Sequence, residues 1–261
     1  MCYSIQQLEE RIRKQGLRNR STPAEIEQAI ELFRKQQLGQ PLFIANGFDH
    51  PTLPVLVRFG GRLEFQSMKW GFIPSSVKSV KQATELANMT LNARGETLFE
   101  KPTFRHAAKC QRGLLLLTGF YEYHHQGKRK IPHFVDWKDE CARWVAVIYD
   151  RWQHPSETME WTTFSIVTCH ANPFMAKLHH GAGEMGPRMP LFLHGQDLLH
   201  WLDPHRPMDQ IQSMIQPDRE DGMRSHEVRP LRGKQSVGND PLACEPWGGD
   251  AGQEQLSLFE A

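Results

Sequence analysis

The sequence predicts an α+β fold, a β-rich pseudo-barrel with flanking helices. Three observations lead there. Short apolar runs of strand length, broken by Gly, Pro, Asn and Asp, fill the middle of the chain. Helical spacing of apolar residues is confined to the beginning and to a late segment. No alternation of strand and helix runs through the chain, and no internal repeat interrupts it. A length of 261 residues can bury a substantial core. A single domain is expected over residues 1–244, followed by a flexible tail over 245–261, where Gly248-Gly249-Asp250-Ala251-Gly252-Gln253 stands.

Taken in order, Ser4-Ile5-Gln6-Gln7 has the form of a capping box, and Ile5, Leu8 and Ile12 continue at helical spacing. A helix is therefore expected directly after Cys2, with its positive end favouring a thiolate there. Thr22-Pro23-Ala24-Glu25 marks a second start, and the helical segment extends to about residue 38. Strands are expected at Leu42–Ala45, Leu53–Val57, Leu63–Phe65, Leu114–Leu117, Trp144–Ile148 and Trp161–Thr168. Short helices are expected at Asp197–Leu202 and Met208–Ile215.

Bulk properties narrow the function. The formal net charge is +1, so any nucleic-acid contact must come from a local basic patch. No apolar run reaches about 18 residues, so no membrane partner is expected. The N-terminus lacks a basic segment followed by an apolar one. Cysteines at 2, 110, 141, 169 and 244 are widely spaced and odd in number, which suits a reducing cytoplasm. His124-His125 and His179-His180 are adjacent pairs, not the i,i+4 pairs of a helical metal site.

The chemistry begins at Met1-Cys2. Removal of Met1 would make Cys2 the N-terminus, with an α-amine of pKa about 8 and a thiol of about 8.5 on adjacent carbons. Such a 1,2-aminothiol condenses with an aldehyde to an imine, which the thiol closes to a thiazolidine. Four loop-like stretches add function-capable groups. Trp70, in Lys69-Trp70-Gly71-Phe72-Ile73-Pro74, is either a core residue or a platform for an unpaired base. In Leu91–Glu96, Asn92 can orient an amine or a carbonyl and the fork of Arg94 suits a phosphate, or the pair is a turn with a surface charge. Glu122 follows the buried run Leu114–Leu117 among aromatics, where desolvation raises a carboxyl pKa and suits a general acid. His179 or His180, upstream of Arg188-Met189-Pro190, can carry protons near neutral pH.

In this order, Met1-Cys2, Trp70–Pro74, Asn92-Ala93-Arg94 with Glu96, Gly119–Glu122, Val167-Thr168, His179 with Arg188-Met189-Pro190, and Val237-Gly238-Asn239 resemble SOS response-associated peptidase (SRAP) domain proteins. The resemblance runs from Cys2 to about Asn239. It implies a β-rich pseudo-barrel with flanking helices that acts as a cytoplasmic monomer, needing no metal or cofactor and bound to the nucleoid when on DNA. It also implies self-processing that removes Met1. The expected partner is single-stranded DNA, or a single-strand/double-strand junction, containing an abasic site. The expected activity is a thiazolidine crosslink between Cys2 and the abasic aldehyde. By the resemblance Cys2 is the nucleophile, Asn92 holds its amine, Glu122 aids ring opening and Met1 removal, and His179 handles protons at the aldehyde oxygen. Arg94, Trp70, Thr168 and Arg188 match DNA contacts.

Departures accompany it. Cys2-Tyr3-Ser4 stands where Cys-Gly-Arg is usual, Phe43–Phe48 replaces a Tyr-Asn-x-x-Pro segment, and Gly181 to Pro187 separate His179 and His180 from Arg188. Two further functions stay open at this level. One is a non-covalent single-stranded DNA-binding module. The other is an N-terminal-nucleophile cysteine peptidase or amidase.

Overall fold

The apolar runs become the walls of a closed barrel in the computed structural model. It describes residues 2–18, 31, 41–127, 129–155, 160–179, 186–218 and 222–248. Met1, the expected second helix start at Thr22, His180 and the tail beyond residue 248 lie outside the described residues.

Among the described residues thirteen strands form: β1 Ser4–Gln7, β2 Leu42–Asn46, β3 Thr52–Phe59, β4 Arg62–Trp70, β5 Asn92–Arg94, β6 Arg112–Leu117, β7 Gly119–Gln126, β8 Arg129–Trp137, β9 Arg143–Gln153, β10 Glu160–His170, β11 Arg188–Pro190, β12 Phe192–Leu193 and β13 Met223–Glu227. The helices among the described residues are α1 Glu9–Arg18, α2 Val80–Met89, α3 Arg105–Cys110, α4 Pro173–Leu178, α5 Asp197–Leu202 and α6 Met208–Ser213. Strands β4, β3, β6, β9 and β10 pair in succession, and β10 pairs back to β4. The β10–β4 pairing is parallel and the rest of the ring is antiparallel, so the barrel is mixed. Closure removes the exposed edges an open sheet would leave. No described helix is long and apolar enough to cross a membrane.

Alternation and continuity in the sequence have distinct structural meanings. In β3, Leu53, Val55 and Val57 point inward. Every residue of β6 is buried, because Leu115 and Leu117 fill the main core while Leu116 meets Ile12 of α1 on the outer side. The continuous Leu run is thus a strand covered on both faces.

A second sheet, ordered β13-β8-β7-β1-β2, is antiparallel throughout. Strand β1, set between β7 and β2, corrects the first expectation, since residues 4–7 are a strand and α1 begins only at Glu9. The physical reason is that Ser4 and Ile5 find backbone partners on both sides, in β2 and in β7, while Gln6 pairs with β7 and Gln7 with β2. All four residues are buried, and a local capping box cannot compete with two ladders. Thr118 completes the junction: its hydroxyl donates to Gln6 Oε1 (3.1 Å) and accepts from the Leu8 N–H (3.1 Å). The loop-like stretch expected around Glu122 is likewise a bend at Thr118 followed by β7. At the end of the described residues, the Trp247 N–H donates to Glu227 O at 2.8 Å.

Gly119 opens β7 under a close approach. A Cβ there would lie 2.3 Å from Phe134 Cζ and 3.1 Å from Val135 O. Gly119→Ala is expected to cost about 1–3 kcal/mol through overpacking. That corresponds to a melting temperature roughly 2–8 °C lower, read by thermal unfolding. An unchanged melting temperature would contradict this packing.

Candidate active site

The site forms where the two sheets meet. β1 lies beside β7 with Ser4 opposite Tyr121, and continuing that register brings Cys2-Tyr3 alongside Glu122-Tyr123. From the barrel side, β5 runs parallel to β10 with Asn92 opposite Ile166. Asn92 Nδ2 donates to Cys2 O at 2.8 Å, across 90 residues of sequence. Asn92 Oδ1 is buried and has no hydrogen-bond partner among the described residues. Leaving such an oxygen unpaired costs about 1–3 kcal/mol. The Asn92 amide stands beside Cys2, where removal of Met1 would create a new donor.

Glu122 is 4% exposed, and its Oε1 accepts from the Tyr123 N–H at 3.1 Å. Its other oxygen lies 3.6 Å from His179 Nδ1. His179 caps the end of α4, a helix started by Asn172 (whose Oδ1 accepts from the Met175 N–H at 2.8 Å) and by Pro173. That end is tied to β7 by His124 Nδ1, 3.0 Å from Leu178 O, so β7 carries Glu122 and also fixes His179. The His125 ring lies 6.0 Å from the His179 ring.

The electrostatics reverse the expected state of the thiol. Cys2 is 1% exposed; burial pushes its thiol pKa up, and the nearby Glu122 charge adds to the rise. No helix terminus offsets this, because a strand follows Cys2, so the expected thiolate gives way to a protonated thiol. Burial also pushes the His179 pKa down, against the opposing pull of Glu122. His179 is therefore neutral at pH 7, able to accept a proton at one nitrogen and donate at the other. The Tyr3 phenol is pushed up by burial and by Glu122 and Cys2, while the charge of the half-buried Arg94 pulls it back.

The other residues expected at DNA lie elsewhere. Trp70 is 0% exposed, stacks 6.2 Å from Phe164, and donates from Nε1 to Leu91 O at 2.8 Å. It cannot stack on a base; it holds the backbone that precedes Asn92. Thr168 is fully buried, and its hydroxyl contacts Ala93 O. The Arg188 guanidinium is buried too, bonded to Glu96 Oε2 at 2.6 Å and to Thr168 O at 2.9 Å. Burial works against the Glu96 carboxylate, but the Arg188 hydrogen bond prevails and holds its pKa below the usual range. These three residues support the site from within and leave the half-buried Arg94 as the remaining sequence-derived cation. Tyr3, His124 and His125 were not singled out for this site by sequence reasoning; only their adjacency to Cys2 and Glu122 could have flagged them. Among the described residues, no group of three or more His, Cys, Asp or Glu is placed to hold a metal ion.

The family model for SOS response associated peptidase (SRAP) matches residues 17–234, which take in Asn92, Glu122 and His179. The chain belongs to the SRAP family. Cys2 precedes the matched span. Within SRAP, the chain is 29% identical over 218 residues to abasic site processing protein YoqW of Bacillus subtilis (strain 168), covering 80% of this chain and 90% of that one. It is 27% identical over 198 residues to abasic site processing protein HMCES of Gallus gallus, covering 68% of this chain and 55% of that one. A crystal structure of a Bacteroides thetaiotaomicron protein superposes with a TM-score of 0.77 at 31% identity, covering 95% of this chain and all of that one. A Bordetella bronchiseptica protein, at 20% identity and a TM-score of 0.66, shares the fold. The pseudo-barrel expected from the sequence is thus the SRAP fold.

Proposed function

We propose that this SRAP chain captures abasic sites in single-stranded DNA, or at single-strand/double-strand junctions, as a covalent thiazolidine on Cys2. The observation that carries this reading is the convergence of Cys2, Asn92, Glu122 and His179, brought from four distant segments to one buried spot. That two relatives are named abasic site processing proteins supports the lesion class.

The steps follow from the geometry. Hydrolysis of the Met1–Cys2 peptide bond adds water and frees methionine and the Cys2 α-amine. The new amine supplies donors to the unpaired Asn92 Oδ1, while Asn92 Nδ2 keeps hold of Cys2 O. The amine adds to the aldehyde of the ring-opened sugar, and the carbinolamine loses water with a proton delivered to the departing hydroxyl. Glu122 and His179 are placed for that delivery. The thiol then adds to the imine carbon. A C–S bond forms, the C=N pair moves to nitrogen, and nitrogen takes a proton while the thiol gives one up. Burial and the Glu122 charge both disfavour the thiolate, which favours an order in which the amine reacts first. No cofactor takes part.

Intact mass of the purified protein tests this, alone and after mixing with a uracil-containing single strand treated with uracil glycosylase. The expected result is loss of Met1, plus a gain equal to the abasic oligonucleotide less one water. Retained Met1 with no adduct would leave a non-covalent DNA-binding module, and turnover of peptides without DNA would favour an amidase.

A further inference from the structure

Arg232 lies outside every motif described so far, yet it is anchored at the rim of the site. After β13, the chain is held to β8 by the Val228 N–H bonded to Pro132 O at 2.9 Å. Leu231 packs against Tyr121, Phe134 and Val228, and this fixes the turn that presents Arg232. The guanidinium carbon lies 5.0 Å from the Phe48 ring centroid, and a terminal nitrogen donates to Asn46 Oδ1 at 3.2 Å. Asn46 pairs with Ser4 across β1–β2, only two residues beyond Cys2. Phe48 is 40% exposed, and its ring lies 5.3 Å from that of Tyr3. Burial pushes the Tyr123 phenol pKa up and the Arg232 charge pulls it back, so Arg232 also neighbours the residue that follows Glu122.

This arrangement is unusual for a surface arginine. Holding a long side chain in one geometry costs conformational entropy. The common compensation is a carboxylate, and no described carboxylate lies within salt-bridge distance of Arg232. An aromatic face and an amide oxygen hold it instead, and neither neutralises its charge. An exposed, oriented and uncompensated guanidinium matches the fork geometry of a phosphodiester. We propose that Arg232, stacked on Phe48 and tied to Asn46, binds a phosphate of the DNA strand beside the residue that Cys2 captures. The proposal rests on the abasic-site reading for its ligand. It adds Arg232 to Arg94 as a second cation, contributed by a segment remote in sequence.

The test is equilibrium binding to an undamaged fluorescent single strand, followed by anisotropy over a range of salt concentrations, so that it needs no aldehyde chemistry. Arg232→Gln is expected to weaken binding about tenfold at low salt, as for one lost charge-assisted contact. It should also make the slope of log affinity against log salt shallower by about 0.7, as for one phosphate released from a single strand. Arg232→Lys, which keeps the charge, should restore most of the slope. Equal affinity and slope in wild type and Arg232→Gln would overturn the proposal, as would weaker binding with an unchanged slope. Crosslinking by the wild type is scored separately. If the wild type crosslinks and Arg232→Gln binds normally, only the phosphate contact fails. If Arg232→Gln weakens binding but the wild type never crosslinks, only the covalent reading fails.

Discussion

Cys2→Ser is expected to reduce stable crosslinking to abasic single-stranded DNA to below roughly 1% of wild type, since only the thiol can close the stable ring. The α-amine survives in this variant, and so does the Asn92 contact to the carbonyl of residue 2. The reaction should therefore stop at the imine, which borohydride traps and which hydrolyses without it. The comparison is a denaturing gel with and without borohydride. Cys2→Ala should behave the same way, and one extra residue in front of Cys2 should abolish the stable crosslink by putting the Cys2 amine into a peptide bond. A borohydride-independent adduct in Cys2→Ser would refute the thiazolidine chemistry outright. Imine trapped in Cys2→Ser would show that the amine reacts with the aldehyde without help from the thiol.

Glu122→Gln is the second large effect. Loss of a positioned proton carrier is expected to slow crosslinking about 10²–10³-fold in protein already freed of Met1. The fold should tolerate the change, because the amide oxygen can still accept from the Tyr123 N–H. Two shifts of defined sign accompany the loss. Glu122 raises the Cys2 thiol pKa, so its neutralisation lowers that pKa and makes the thiol more acidic. Glu122 also supports the charged form of His179, so the histidine, already held low by burial, falls further. Thiol alkylation by a small reagent, followed against pH, should show its midpoint moving down while crosslinking slows. A variant that crosslinks at the wild-type rate would remove Glu122 from the proton path. A slower variant with an unmoved alkylation midpoint would mean that Glu122 does not sense Cys2.

The amino-acid sequence determined those parts of the protein whose causes are local. Alternation at Leu53, Val55 and Val57 and continuity at Leu114–Leu117 specify strands, because side-chain period and burial on one or two faces are encoded in neighbouring residues. The helices at Asp197–Leu202 and Met208–Ser213 follow from the same periodicity, the second two residues shorter than expected. The reactive pair at Cys2 and the order of the motifs were likewise legible, and the family follows from them. What the tertiary structure alone decided are the states that depend on partners far away in the chain. Ser4–Gln7 carries a helix-start signal and becomes a strand, because β2 and β7 supply backbone bonds that no local pattern announces. Trp70 and Arg94 stand at opposite ends of two adjacent motifs, yet one is sealed beneath Leu91 and the other is half-buried, its charge acting on Tyr3. Arg188 reads as a phosphate ligand until Glu96 is found 2.6 Å away. The charge state of Cys2 is of the same kind: its residue type offers a thiolate, and its burial beside Glu122 withholds one. Solvation and long-range pairing set these outcomes, and both are properties of the assembled barrel.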